Sequence, residues 1–188
     1  MSNDPWSIDP ENKKQVDDNL AGFIIEHADK SLRHTIEVAD KATNRAFTLL
    51  IILLPITSTF VGLLVNEIKE KHKYRTLDLY FFGILIIICL LALGMLVKLI
   101  FPRDSMVAGR EPKDILTNEM LQNELPVEKK LLAFKFNEIK NYQSRITYNR
   151  QQNAERIASI SHILRWTGIA AFIAIITYVI ILYQLAAQ

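Results

Sequence analysis

A single cysteine, Cys89, stands in 188 residues, and it lies inside an apolar run. That excludes a disulfide framework, a paired-cysteine metal site and a dithiol redox motif, and leaves Cys89 as a small apolar residue. The four histidines, His27, His34, His72 and His162, are scattered, without the HExxH spacing that sets two imidazoles on one helix face. No GxSxG turn, P-loop or glycine fingerprint is present, so neither an enzyme nor a bound cofactor is expected. Glycine and proline are scarce, six of each, and neither occurs from Val127 to Thr167. The net charge of +2 is too small to imply a nucleic-acid or anionic-lipid partner by its sum; its placement says more.

Charge is missing altogether from three long blocks. They are Ala46 to Val65 (AFTLLIILLPITSTFVGLLV), Leu79 to Val97 (LYFFGILIIICLLALGMLV) and Trp166 to Tyr183 (WTGIAAFIAIITYVIILY). A helix needs about 20 mainly apolar residues, with a range of about 17 to 25, to cross the hydrocarbon core of a bilayer, and each block meets this. The expected fold class is therefore an all-α integral membrane protein, with three transmembrane helices and a helical cytoplasmic region. Residues 1–45 read as an N-terminal helical arm, 46–66 as the first span, 67–76 as an external loop and 77–101 as the second span. Residues 102–165 read as a cytoplasmic helical region, 166–184 as the third span and 185–188 as an external tail. The first forty residues are polar, with no short basic start and apolar run of a signal peptide, so the first span is expected to direct insertion itself.

Orientation follows from the basic residues near the span ends. Arg33, Lys41, Arg45, Lys98, Arg103, Arg110, Lys113, Arg150, Arg156 and Arg165 lie on the side of the arm and the central region, ten in all. Four, Lys69, Lys71, Lys73 and Arg75, lie on the other. The positive-inside rule then sets the N-terminus and central region in the cytoplasm and the C-terminus outside.

The arm carries Leu20, Ile24, Ala28, Leu32, Ile36 and Ala39 on one broad helical face, and no Pro or Gly follows Gly22 before the first span, so one helix is expected to enter the membrane. Pro102 and the GREP turn, Gly109 to Pro112, punctuate the central region, with a short helix expected from Pro112 to about Asn123. After Pro126 a long helix is expected to continue into the third span. Its apolar face, Leu132, Phe136, Ile139, Tyr142, Ile146, Ile157, Ile160 and Leu164, must be covered by the arm, by the short helix or by copies of the chain.

Four features are candidates for function. The ladder Asn137, Asn141, Arg145, Asn149 and Asn153, spaced by four, has the donors and acceptors to read a base and a phosphate; equally, asparagines in a helix seam fix register and oligomeric state. Lys135, Lys140, Arg145, Arg150 and Arg156 are spread around the helix, as a solvated surface or as part of an anion site between subunits. Arg110 and Lys113, beside a helix N-terminus in GREPK, form the best single anion site. In the first span, Pro55 is followed by Thr57, Ser58 and Thr59, the only run of hydroxyls at membrane depth, which suits either a pore lining or inward helix packing.

Three stretches also carry a resemblance: ADKATNRAFTLL from Ala39, FPR at Phe101 to Arg103, and KFNEIKNYQSR from Lys135 leading towards the last span. In these and in the order of its parts the chain resembles transmembrane effectors of bacterial anti-phage nucleotide-signalling systems, particularly the Pycsar-type effector and related small multi-span effectors. The resemblance implies a homo-oligomer in the inner membrane that opens a pore or disrupts the bilayer in abortive infection. It further implies a nucleotide or short oligonucleotide signal from a partner nucleotidyltransferase, cyclase or reverse transcriptase, or a ligand whose loss releases the effector. Arg110, Lys113, Arg145, Asn149 and Asn153 are then the expected ligand contacts and Thr57, Ser58 and Thr59 the expected pore lining. A non-conducting membrane anchor is the alternative of another class.

Overall fold

The computed structural model describes residues 15–69, 75–101, 106 and 126–187. They form three helices, α1 (Asp18–Lys69), α2 (Arg75–Ile100) and α3 (Val127–Ala186), and no strand occurs among the described residues. Each contains a stretch long and apolar enough to cross a membrane. The short helix expected after Pro112 lies outside the described residues.

Local chemistry sets the helix ends. Asp17 caps α1, its Oδ1 accepting from the Leu20 amide at 2.7 Å, and Asp78 puts a carboxylate in the first turn of α2, where the helix dipole favours it. Pro126 opens α3, its carbonyl accepting the Lys130 amide at 3.0 Å. With no Pro or Gly to interrupt the next forty residues, α3 runs for 60 residues. The arm and first span are likewise one helix, through Pro55.

The chain divides into two compact units, Met1–Asp40 with Asp104–Ala154, and Lys41–Arg103 with Glu155–Gln188. In the first, Leu32, Tyr142 and Ile146 form a buried core, with Ile25 and Ala28 packed against it. The apolar face of the polar half of α3 is therefore covered by the arm of the same chain.

In the second unit the core joins Ala42 and Ala46 of α1, Ala92, Leu96 and Leu99 of α2, and Ile160 and Ile163 of α3. Alanines let helix backbones approach closely, which is how apolar helices gain contact where no hydrophobic drive separates them from lipid. This unit takes in α3 from Glu155, well before Trp166, where the uncharged block begins. Arg156, His162 and Arg165 lower the hydropathy there, yet Arg156 is buried on the same face as Ile160 and Ile163, which pack inward, while His162 and Arg165 are exposed. The most apolar stretch of α2 is 33% buried, against 6% in α1 and 0% in α3, so α2 is the packing centre and its uniform apolarity does not mark it as the lipid-facing helix.

Candidate functional site

The polar unit is held by hydrogen bonds between α1 and α3. Asp29 pairs with Tyr142, Ser31 with Arg150 and Thr35 with Asn149 and Asn153, so the two helix numberings rise together and the helices run parallel here. Asn149 is the centre. Its Nδ2 donates to Thr35 Oγ1 at 3.1 Å and to the Met106 carbonyl at 3.0 Å, while its Oδ1 accepts the Met106 amide at 3.1 Å. Both amide protons are used, and the side chain clips the backbone of residue 106 at two points. Asn153 donates to the Thr35 carbonyl at 2.7 Å, and the Thr35 hydroxyl donates to Leu32 O, also at 2.7 Å.

This arrangement binds protein, and it favours the register reading of the ladder. Asn149 and Asn153 are buried, 4% and 7% exposed, with their donors committed inside one chain, so neither presents a free edge to a base. Asn141 differs: its Nδ2 is buried with no hydrogen-bond partner among the described residues. Asn137 is exposed, and Arg145 is half-buried and makes further interactions. Arg110 and Lys113 lie outside the described residues.

Around the network, Lys135 Nζ lies 2.7 Å from Asp18 Oδ1, and Arg33 lies 2.8 Å from Asp29. Burial first, then the Asp29 charge, pushes the Tyr142 phenol up from its ordinary value. It therefore stays protonated at neutral pH and can donate to Asp29, 3.3 Å away.

In the second unit the three expected pore hydroxyls part company. Thr57, Ser58 and Thr59 donate to the carbonyls of Leu53, Leu54 and Pro55, each one turn back on their own helix. None of the three serves Ile51, whose carbonyl loses its amide partner at Pro55. Consecutive helical residues fan over about 200°. Thr57 accordingly faces the packed side, 7% exposed, and Ser58 and Thr59 are exposed, so the three do not line one surface.

One polar pair was missed from sequence. Tyr178 of α3 donates its hydroxyl to Asp78 Oδ1 of α2 at 2.6 Å, and its ring stacks on Phe81 with centroids 4.3 Å apart. Asp78 is 9% exposed. The available signal was an ionisable residue at the start of a helix apolar enough to cross a membrane, which in such a helix marks an inward-facing position with a partner. The groove holding Leu77 to Ile88 is walled by Ala170 to Ile181, and the next, holding Ile88 to Met95, by His162 to Ala170, so α2 and α3 run antiparallel.

Among the described residues no cluster of His, Cys, Asp and Glu could hold a metal ion. No family model, curated protein or solved structure matches the chain. What the fold defines is a class: an all-helical protein with three helices fit to span a membrane, two of which extend well beyond their apolar stretches into a polar, hydrogen-bonded helix pair.

Proposed function

We propose that the chain is a multi-pass effector of the bacterial inner membrane, acting in anti-phage abortive infection. Its homo-oligomer opens a pore or disrupts the bilayer under control of a nucleotide or short oligonucleotide. The observation that carries this reading is the continuity of α3, which joins a hydrogen-bonded polar half to an apolar half long enough to cross a membrane. The resemblance in ADKATNRAFTLL, FPR and KFNEIKNYQSR supplies the biological setting.

In this mechanism Arg110, Lys113 and Arg145 hold the phosphates. Met106, held by the Asn149 clip, lies four residues before Arg110 and seven before Lys113, while Arg145 stands on α3 one turn before Asn149. A ligand acts only by preferring one arrangement of these residues over another. Moving a pore from about 1% to about 99% open takes roughly 5.5 kcal/mol of differential binding, within reach of a few charge-assisted phosphate contacts. Copies associate through the bare spans of α1 and α3, and the exposed Ser58 and Thr59 face the path.

Ion flux from liposomes tests this, with a cyclic mononucleotide, a cyclic oligonucleotide and a linear oligomer added in turn. Wild type is expected to change its flux with one of them. Arg110→Ala with Arg145→Ala is expected to lose the response with the particle intact, and Ser58→Leu to lower conductance at least several-fold. A flux that falls on ligand addition identifies an effector held closed by its ligand. No flux under any condition leaves the membrane anchor.

Topology gives a second expected result, from the ten-to-four basic asymmetry. Alkaline phosphatase fused at Gln188 should be active, and a cytoplasmic reporter there inactive. The reverse pattern defeats the N-inside assignment.

A further inference from the structure

Where the first uncharged block begins, α1 and α3 leave a groove of about 460 Å³ between them. Arg45 is the last charged residue before that block, and it borders the groove together with Asn44 and Ser161. Leu49, Ile157 and Leu164 supply apolar wall, and no acidic residue lines it. Ile157 and Leu164 are 39% and 46% exposed. Arg45 is exposed and makes no hydrogen bond or ion pair with another described residue. By contrast Arg156, a turn before Ile160, is buried and donates to Thr43 Oγ1 at 3.0 Å. The groove thus joins an uncommitted cation to an apolar trough, at the level where a membrane reading puts the headgroups. Trp166, 65% exposed on α3, is the residue type that anchors helices at that level.

We infer that this groove seats an anionic phospholipid of the cytoplasmic leaflet, with the Arg45 guanidinium on the headgroup phosphate and an acyl chain along Leu49, Ile157 and Leu164. The site rests on the membrane reading of the three helices. The chemistry of its two ends selects the ligand. A planar guanidinium grips phosphate oxygens in pairs, and Asn44 and Ser161 add donors beside it. The trough below has no aromatic platform for a base and no second cation to balance a polyphosphate, whereas an alkyl chain matches Leu49, Ile157, Ile160 and Leu164, with the Thr48 hydroxyl beside them. The small net charge does not oppose this, because one placed cation at the surface is sufficient.

The full chain, reconstituted in vesicles of phosphatidylcholine with spin-labelled phosphatidylglycerol or spin-labelled phosphatidylcholine as probe, tests the site. Electron paramagnetic resonance reads the motionally restricted fraction of each probe. Wild type is expected to prefer phosphatidylglycerol about 5-fold, the ratio that about 1 kcal/mol per cation near an anionic surface produces. Arg45→Gln should bring the preference to about unity and Arg45→Lys should keep part of it. Ser161→Phe, which fills the trough and leaves the cation, should also abolish it. Soluble glycerol phosphate at millimolar concentration should leave the restricted fraction unchanged. Equal preference in wild type and Arg45→Gln overturns the site. So does displacement by glycerol phosphate, which marks a free-anion site, and so does an Arg45→Gln effect seen only as a changed particle size, which marks contact between copies. Alkaline carbonate washing of cell membranes reads the underlying membrane assignment separately: release of wild type into the supernatant defeats that assignment, and retention with no lipid preference defeats only the site.

Discussion

Replacing Ile146 by aspartate should unfold the polar unit, while the same change at Ile157 should leave it folded. Ile146 is 5% exposed and packs with Leu32 and Tyr142, so an aspartate there is set among apolar side chains with little water. Burying a charge without a partner costs several kcal/mol, and the lost isoleucine packing adds about 2 to 5 kcal/mol. A domain holds only about 5 to 15 kcal/mol in reserve, so the two helices should separate. Ile157 is 39% exposed, and a carboxylate there reaches solvent. Limited proteolysis in mild detergent reads the difference: rapid cleavage between Asp18 and Asp40 in Ile146→Asp, and wild-type protection in Ile157→Asp. Equal protection in both would mean that the arm and α3 do not pack as described. The apolar face of α3 as far as Ile146 is covered within one chain, so the sequence motive for a seam between copies at that residue is met without a second copy.

The second large effect concerns Asp78 and Tyr178. An O–H···O distance of 2.6 Å is at the short end of the range for such bonds. Removing the hydroxyl in Tyr178→Phe leaves the Asp78 oxygen without that donor in a setting 9% exposed, at a cost of about 1 to 3 kcal/mol. Replacing both members by apolar residues of similar shape should be far less damaging, because the cost lies in a buried carboxylate that has lost a donor. Unfolding in mixed detergent micelles with rising dodecyl sulfate should show a clearly lowered midpoint for Tyr178→Phe, with much of it recovered in Asp78→Leu combined with Tyr178→Phe. Additive losses in the double variant would show that the pair is not coupled.

How far these features were legible in sequence depends on the range of the interaction. Spans and continuous helices follow from local absences: no charge from Ala46 to Val65 or from Leu79 to Val97, and no Pro or Gly from Val127 to Thr167. The structure has the continuous helices α1, α2 and α3, each with a stretch long and apolar enough to cross a membrane. The start of the second unit on α3 was not legible, because hydropathy averages over all sides of a helix. His162 and Arg165 weigh against Ile160 and Ile163, although those two charged or polar residues are exposed and the isoleucines face the core, and Arg156 weighs against them although it is buried beside them. The asparagine ladder was visible as a pattern, but its partners, Thr35 and the backbone of Met106, are 114 and 43 residues from Asn149. Pattern alone therefore left both a register device and a base-reading edge open. The three hydroxyls after Pro55 are one run in sequence, but helical geometry separates Thr57 from Ser58 and Thr59.

The Asp78 to Tyr178 bond also bears on how the chain is made. Its two ends are 100 residues apart, so at about 5 to 20 residues per second the ribosome adds Tyr178 about 5 to 20 s after it adds Asp78. On the membrane reading, the first two apolar helices are then complete well before the third is made, and the carboxyl must wait without that hydroxyl. Its position in the first turn of α2 makes the wait tolerable, since a side chain at a helix end reaches interfacial water. An aspartate two turns deeper, near Leu85, would have to be carried through the hydrocarbon alone, at about 2.5 to 3.5 kcal/mol on insertion scales. The order of synthesis thus limits how deep such a bond can lie, and the pair sits at the margin of the span where late completion does the least harm.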